Sequence, residues 1–230
     1  MKQQSIATRK PSAAVGVVRS GRPPQALAGA VEERILDAAK KVFLERGFEG
    51  ASIDEIAEVA RAGKPTIYAR FSGKEALFGA VMARKVREHI GFLESVEPTG
   101  ATVEERLASI GIAILRKVLV AETVGLIRAA VAEARRFPDL ADSVHRMGRE
   151  RGTEAVAHLL AELAEPDKLG SFAADRRVAT ARQFLDLIVL PMLMPALFGQ
   201  NLRALRAGIG AHVARTVAFF LAACRHGGID

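Results

Sequence analysis

From Val31 onward, apolar residues return every three or four positions with charged residues between them, the pattern of amphipathic helices laid on a core. Ile35, Ala38, Ala39, Val42 and Phe43 outline a first helix that stops at Gly47, after which Phe48 turns back inward. Ser52 opens a second, short helix. Glu55 stands three residues on, so the two residues form a capping box, and Ile53, Ile56, Ala57 and Ala60 make its inner face. Arg61-Ala62-Gly63 predicts a tight turn. A third short helix follows over Lys64 to Arg70, with Pro65 in its first turn, where a missing N–H costs little. Ser72 and Glu75 repeat the capping pattern ahead of a longer helix through Leu77, Val81, Val86, Ile90 and Leu93.

Glu97-Pro98-Thr99-Gly100 reads as a linker. Beyond it, Thr102 and Glu105 cap a helix running to about Lys117. Further helices are expected over Ala121–Arg136, Pro138–Ala164 (loosened at Gly148 and Gly152), Asp175–Leu190 (kinked or ended at Pro191) and Asn201–Arg225, with a loop at Pro166–Ser171. No alternating apolar–polar run is bounded by hairpin turns. The expected fold is all-α: an N-terminal three-helix unit with a helix-turn-helix, then a larger helical domain. The expected divisions are a flexible basic arm at 1–28, a reading head at 29–75, a connecting helix at 76–98 and a regulatory and dimerisation domain at 99–230. A short helix pair buries little area by itself, but it suits a DNA reader in which one helix braces and the other enters a groove.

Charge sharpens this picture. The net charge of +7 is unevenly placed: residues 1–31 hold five basic groups and no acid, whereas residues 32–94 hold eleven of each sign. Such an arm suits phosphate or another anionic surface. Cys224 is the single cysteine, so no thiolate cluster for zinc or iron–sulfur exists. His89, His145, His158, His212 and His226 form no HExxH or other tight metal spacing, and no glycine-rich phosphate loop occurs. The expectation is therefore no enzyme, no metal and no cofactor. No uncharged apolar run reaches membrane-spanning length, and the N-terminus lacks a secretory h-region, so a cytoplasmic protein without a membrane partner is expected.

The stretch from Ile35 to Leu77 resembles the DNA-binding region of the tetracycline-repressor (TetR) family. The Ala38-Ala39 pair before Phe43, the Gly47-Phe48 stop, Ser52-Ile53-x-x-Ile56-Ala57, Thr66-Ile67-Tyr68-x-x-Phe71 and Lys74-Glu75-x-Leu77 agree together. Leu126 to Gly152, with Arg136-Phe137-Pro138-x-Leu140 at its centre, is similar to the regulatory region of the AefR-like branch. The resemblance implies a homodimeric, ligand-responsive transcription regulator, most often a repressor, on a palindromic double-stranded operator. The turn departs from the family pattern: Arg61 stands where most members have Gly, and Ala62 and Gly63 replace a bulkier aliphatic and Ser. Arg61 is thus expected in a left-handed conformation, at a cost on the order of 1 kcal/mol.

On this reading the recognition helix presents Lys64, Pro65 and Thr66 toward a groove, and Tyr68 resembles the tyrosine that holds a backbone phosphate. Lys74 occupies a first helical turn, where the helix dipole disfavours a cation, so a phosphate contact is its expected role. Ser52, Arg61 and Arg70 complete the DNA-facing set. The stripes at Ala181–Ile188 and Leu205–Phe220 are the expected dimer surface, the alternative being that they only close the monomer core, which in part they must do. A largely apolar effector is expected between Leu93 and about Leu190, with Met147, Met192 and Met194 among the lining and Glu122, His145, Arg149 and His158 as candidate polar anchors. A helical protein-interaction or anionic-surface module is the alternative; it accounts for the charge but not for the short helix pair with Tyr68 and Lys74.

Overall fold

The computed structural model describes residues 25–167 and 172–225, and its regular elements there are all helices. In chain order they are α1 (Gln25–Gly50), α2 (Ile53–Ala60), α3 (Lys64–Tyr68), α4 (Lys74–Glu94), α5 (Val103–Val118), α6 (Ala121–Glu133), α7 (Pro138–Asp167), α8 (Arg177–Leu197), α9 (Leu202–Ala207) and α10 (Ile209–Arg225).

The apolar stripes converge on two cores. The first packs Ile35, Val42 and Phe43 of α1 against Ile56, Ile67 and the α4 residues Leu77, Phe78 and Val81. The rings of Phe43, Phe48 and Phe78 meet there with centroids 5.1 to 5.9 Å apart. The second joins Leu107 and Leu115 of α5, Val156 and Leu160 of α7, Phe184 and Ile188 of α8, and Val213, Val217 and Phe220 of α10. Helix α4 contributes to both, through Leu77 to Met82 at one end and Leu93 at the other, while Leu126 of α6 inserts into the first core.

Several local expectations hold. Thr102 and Glu105 form the reciprocal capping box of α5. The helical φ/ψ run of α1 breaks at Gly47, where φ is 70°. Arg61 takes φ 48° and ψ 46°, the left-handed conformation its turn requires.

Others are corrected. Helix α1 begins at Gln25 rather than near Val31, so only residues 1–24 of the expected arm lie outside the described residues. Gly73, not Ser72, is the N-cap of α4, and no side chain caps it. Helix α3 ends at Tyr68, two residues before the expected boundary. Helix α7 runs unbroken past Gly148 and Gly152 to Asp167, and the rest of the expected loop, 168–171, lies outside the described residues.

Helix α8 does not end at Pro191 but continues through it and Pro195 to Leu197. Tertiary contacts override the local penalty: Phe184, Ile188, Met192 and Ala196 are buried along one side. His212 Nε2 lies 2.9 Å from the carbonyl of Ile188, beside the Leu187 carbonyl that Pro191 leaves without its helical donor. Arg128 donates to the carbonyls of Ala196 and Leu197 and so closes the helix end. Among the described residues α8 is the one helix long and apolar enough to cross a membrane by length and composition. It packs against α5, α7 and α10 and carries Asp186, which is paired with Arg149.

The final helix is split at Gly208 into α9 and α10. The two stripes expected as dimer surface turn inward instead: Ala181, Phe184, Ile188, Ile209, Val213, Val217 and Phe220 are all buried within the chain.

Candidate nucleic-acid interface and effector cavity

Helix α3 is held by a single buried side chain, Ile67, and its other residues remain at the surface or only partly covered. Helix α2 braces it. Ser52 accepts a hydrogen bond from the backbone N–H of Glu55 at 3.1 Å, while the Glu55 carboxylate turns to Arg46, so one half of the expected box forms. Arg61 then reverses the chain, its N–H bonding back to Glu58, and Gly63 starts α3 with Pro65 in the first turn.

The outer face so formed carries Lys64, Pro65, Thr66 and Tyr68, with Arg61 and Ser52 exposed on either side of α2. Tyr68 is 55% exposed, a large aromatic ring left in water. Lys64 is tied to Asp54 at 2.7 Å, but both partners are exposed, so the pair is weak and a phosphate can displace it. Arg70 Nη1 donates to the Thr66 carbonyl at 3.0 Å and tightens the end of α3.

Lys74 departs from its expected surroundings. Its ammonium donates to the carbonyls of Glu49 and Ala51 at 3.2 and 3.0 Å and lies 4.6 Å from the centre of the Phe48 ring. The cation that a helix N-terminus disfavours is thus held by carbonyls at the end of α1, and stability does account for it.

Helices α4 to α8 enclose a cavity of about 630 Å³. Val86, Ile90 and Leu93 of α4, Ile114 of α5, Leu126 and Ile127 of α6, and Leu185 and Val189 of α8 supply most of its wall. Of the four anchors expected from sequence, His145 and Arg149 line it, whereas Glu122 and His158 do not. His158 is exposed on another face of α7, and Glu122 is engaged by Lys85 and Lys40. Met82 is the methionine in the wall; Met147, Met192 and Met194 are not part of it.

Seven polar residues not expected as anchors from the sequence also line the cavity: Lys85, His89, Thr123, Asp142, Thr153, Arg182 and Asp186. His89 Nε2 lies 3.4 Å from the Thr123 hydroxyl. Burial, then the nearby charges of Lys85 and Lys117, pull the imidazole down to about 4, so it is neutral at pH 7. A helical pattern signals these residues only after the cavity's position is known.

The family model for bacterial regulatory proteins of the tetR family matches residues 35–81, and that for the C-terminal domain of AefR-like transcriptional repressors matches residues 105–225. The chain belongs to the TetR family. UidR, an HTH-type transcriptional regulator of Escherichia coli K12, is 30% identical over 189 residues, 76% of this chain and 91% of UidR. The chain spans less of two other curated relatives: 34% of the activator FasR of Mycolicibacterium smegmatis, at 36% identity over 74 residues, and 24% of the E. coli repressor ComR, at 43% identity over 51 residues. Among solved structures, a TetR-family regulator from Mesorhizobium loti matches with a TM-score of 0.74 at 26% identity, covering 85% of this chain and 96% of that one. The flavonoid-responsive regulator FrrA matches with a TM-score of 0.63 at 28% identity, covering 85% and 97%.

As a TetR-family member the chain is a DNA-binding transcription regulator and not an enzyme. Its cavity and reading head share walls. Helix α6 presents Leu126, Ile127 and Ala130 to the cavity, and at Gly125 it approaches α1 so closely that a Cβ would stand 2.8 Å from Leu44. On α4, buried Arg84 clasps Glu33 and Asp37 of α1 at 2.9 and 2.8 Å. The Arg136-Phe137 element docks here too: the Phe137 ring stacks edge-on against Phe48 at 5.3 Å, and Arg136 pairs with Glu49.

Proposed function

We propose that this TetR-family regulator binds a palindromic operator as a homodimer and represses transcription until a largely apolar small molecule fills the cavity. The observation that carries the DNA reading is the surface of α3, where Lys64, Pro65 and Tyr68 stand exposed and Thr66 is partly covered, on a helix whose one buried side chain is Ile67. Thr66 and Pro65 read base edges; Tyr68, Lys64, Arg61 and Ser52 hold phosphates and set the register. Lys74 and Arg70 serve the head's own geometry and lend positive potential to the same face.

Two copies of the head are needed to read a palindrome. The dimer surface is the outer side of the end of α8 and of α10, where Met194, Phe198 just past α8 and Phe219 remain exposed, Phe198 by 83% and Phe219 by 65%. Burying such rings drives association. Repression is favoured by the match to AefR-like repressors, and FrrA, which responds to flavonoids, supports an effector with a broad apolar body. The basic residues of 1–24 add phosphate contacts, and the protein acts in the cytoplasm, where its operator lies.

The test is protection mapping on duplexes selected by the full chain. The reading predicts two protected half-sites related by a two-fold axis, about one helical turn apart or a multiple of it, with two chains bound. A single unsymmetrical footprint from one chain contradicts it.

A further inference from the structure

Almost every polar atom of the cavity wall already has a partner. Lys85 is paired with Glu88 and Glu122, Arg149 meets both oxygens of Asp186 at 2.9 and 2.7 Å, and His89 faces Thr123. Asp142, His145 and Arg182 are exposed at the cavity's edge. Thr153 is the exception. The residue is only 2% exposed, and its Oγ1 has no hydrogen-bond partner among the described residues, not even the carbonyl one turn back on its own helix. A buried hydroxyl left unpaired is disfavoured, and native chains rarely keep one without a use.

We infer that the cavity takes an uncharged, mostly apolar molecule bearing a hydroxyl or carbonyl oxygen that hydrogen-bonds to Thr153, and that it rejects the ionised counterparts of such a molecule. This deepens the effector-site reading and rests on it. The apolar wall supplies the driving force. An ionised head in the apolar interior would lose its water beside groups that offer no free charge, because Lys85 and Arg149 are already held by three carboxylates and the neutral His89 carries none; Arg182 and Asp142 stand at the exposed edge, where water screens them. A neutral oxygen meets the opposite situation: its small desolvation cost is offset by the one hydroxyl that lacks a partner.

The wall beside Thr153 provides a control. Gly148 and Gly152 leave α7 without side chains there, and a Cβ at Gly148 would sit 3.8 Å from Val86, an ordinary contact. Gly148→Leu therefore enters the cavity without forcing the backbone aside.

The test uses calorimetric titration of the full chain at pH 7 with 1-decanol, decanoate and decylammonium, and with 2-naphthol and 2-naphthoate. In each series the neutral member is expected to bind about tenfold or more tightly than its ions. Thr153→Val is expected to weaken the neutral members about tenfold while raising the melting temperature of the free protein, since the unpaired hydroxyl is gone. Thr153→Ser, which keeps the hydroxyl, is expected to retain the affinity. Gly148→Leu is expected to abolish binding. Ions that bind as tightly as the alcohols, or a Thr153→Val protein that binds the alcohols unchanged, overturn the inference and leave the effector cavity standing. If no probe binds, or if Gly148→Leu leaves binding intact, the effector-site reading itself falls and takes the inference with it.

Discussion

Lys85 of α4 and Glu122 of α6 form an ion pair at 2.5 Å beside the effector cavity, and Glu122 extends to Lys40 of α1 at 3.3 Å. One carboxylate therefore ties the cavity wall to the reading head. The hydrogen bond from Lys85 is the main influence holding the Glu122 carboxyl below the usual carboxylate range, against the upward push of burial. A depressed folded pKa contributes stability that is present above the unfolded value and lost as the pH falls through the folded one. Glu122→Gln is expected to cost about 1 kcal/mol at pH 7 by urea unfolding, and the gap to the wild type should close as the medium is acidified through the carboxylate range. A gap that stays constant with pH would remove the ion pair from the account.

His89 has the same sign of dependence, over a higher pH range. Its folded pKa of about 4 lies below the ordinary 6.5, so between those values the unfolded chain takes up a proton that the folded chain refuses. Stability from this group is full above about pH 6.5 and declines as the pH falls toward 4. Glu88 and Glu122 oppose the shift but do not cancel it. His89→Gln should flatten the melting-temperature profile between pH 7 and 5; matching profiles for the two proteins would contradict this.

Arg61 sits at φ 48° without the glycine that relieves such a residue. Arg61→Gly is expected to stabilise the chain by about 1 kcal/mol. If Arg61 holds a phosphate, the same change lowers the salt slope of DNA binding by about one unit. Chemical denaturation and a salt titration read the two effects separately, and a destabilised variant would contradict the strain argument.

Arg84 is buried between the two regions, with two carboxylates of α1 on its guanidinium. Arg84→Met keeps the apolar stem and removes the clasp, which is expected to cost about 1–3 kcal/mol. Hydrogen exchange should report the loss as faster opening of α1 relative to the helices of the second core. Unaltered exchange in α1 would show that the clasp does not hold the head.

What the sequence made legible follows the range of the interactions involved. Capping at Thr102, the break at Gly47 and the left-handed Arg61 depend on a few neighbouring residues, and each is in place. Pro191 was misleading because the contacts that carry α8 through it, such as His212 on the Ile188 carbonyl, come from a helix distant in sequence. An apolar stripe such as Val213, Val217 and Phe220 has the same spacing whether it faces its own chain or a partner. The cavity was harder still. Thr153 and His89 are ordinary residues of ordinary helices, and what distinguishes them is where α4, α6 and α7 happen to meet. Phe137 was visible as part of a family-like string, but its contact with Phe48 is a property of the assembled fold.

The most direct test of the central claim is selection of bound duplexes from a random-sequence pool by the full chain, by Thr66→Ala and by Tyr68→Phe, each shown to melt as the wild type does. The account predicts a two-fold symmetric motif for the wild type, relaxed base preference at one position of each half-site for Thr66→Ala, and the same motif bound more weakly by Tyr68→Phe. No enriched motif at low salt, or a motif and affinity indifferent to both substitutions, would contradict the placement of α3 in the groove.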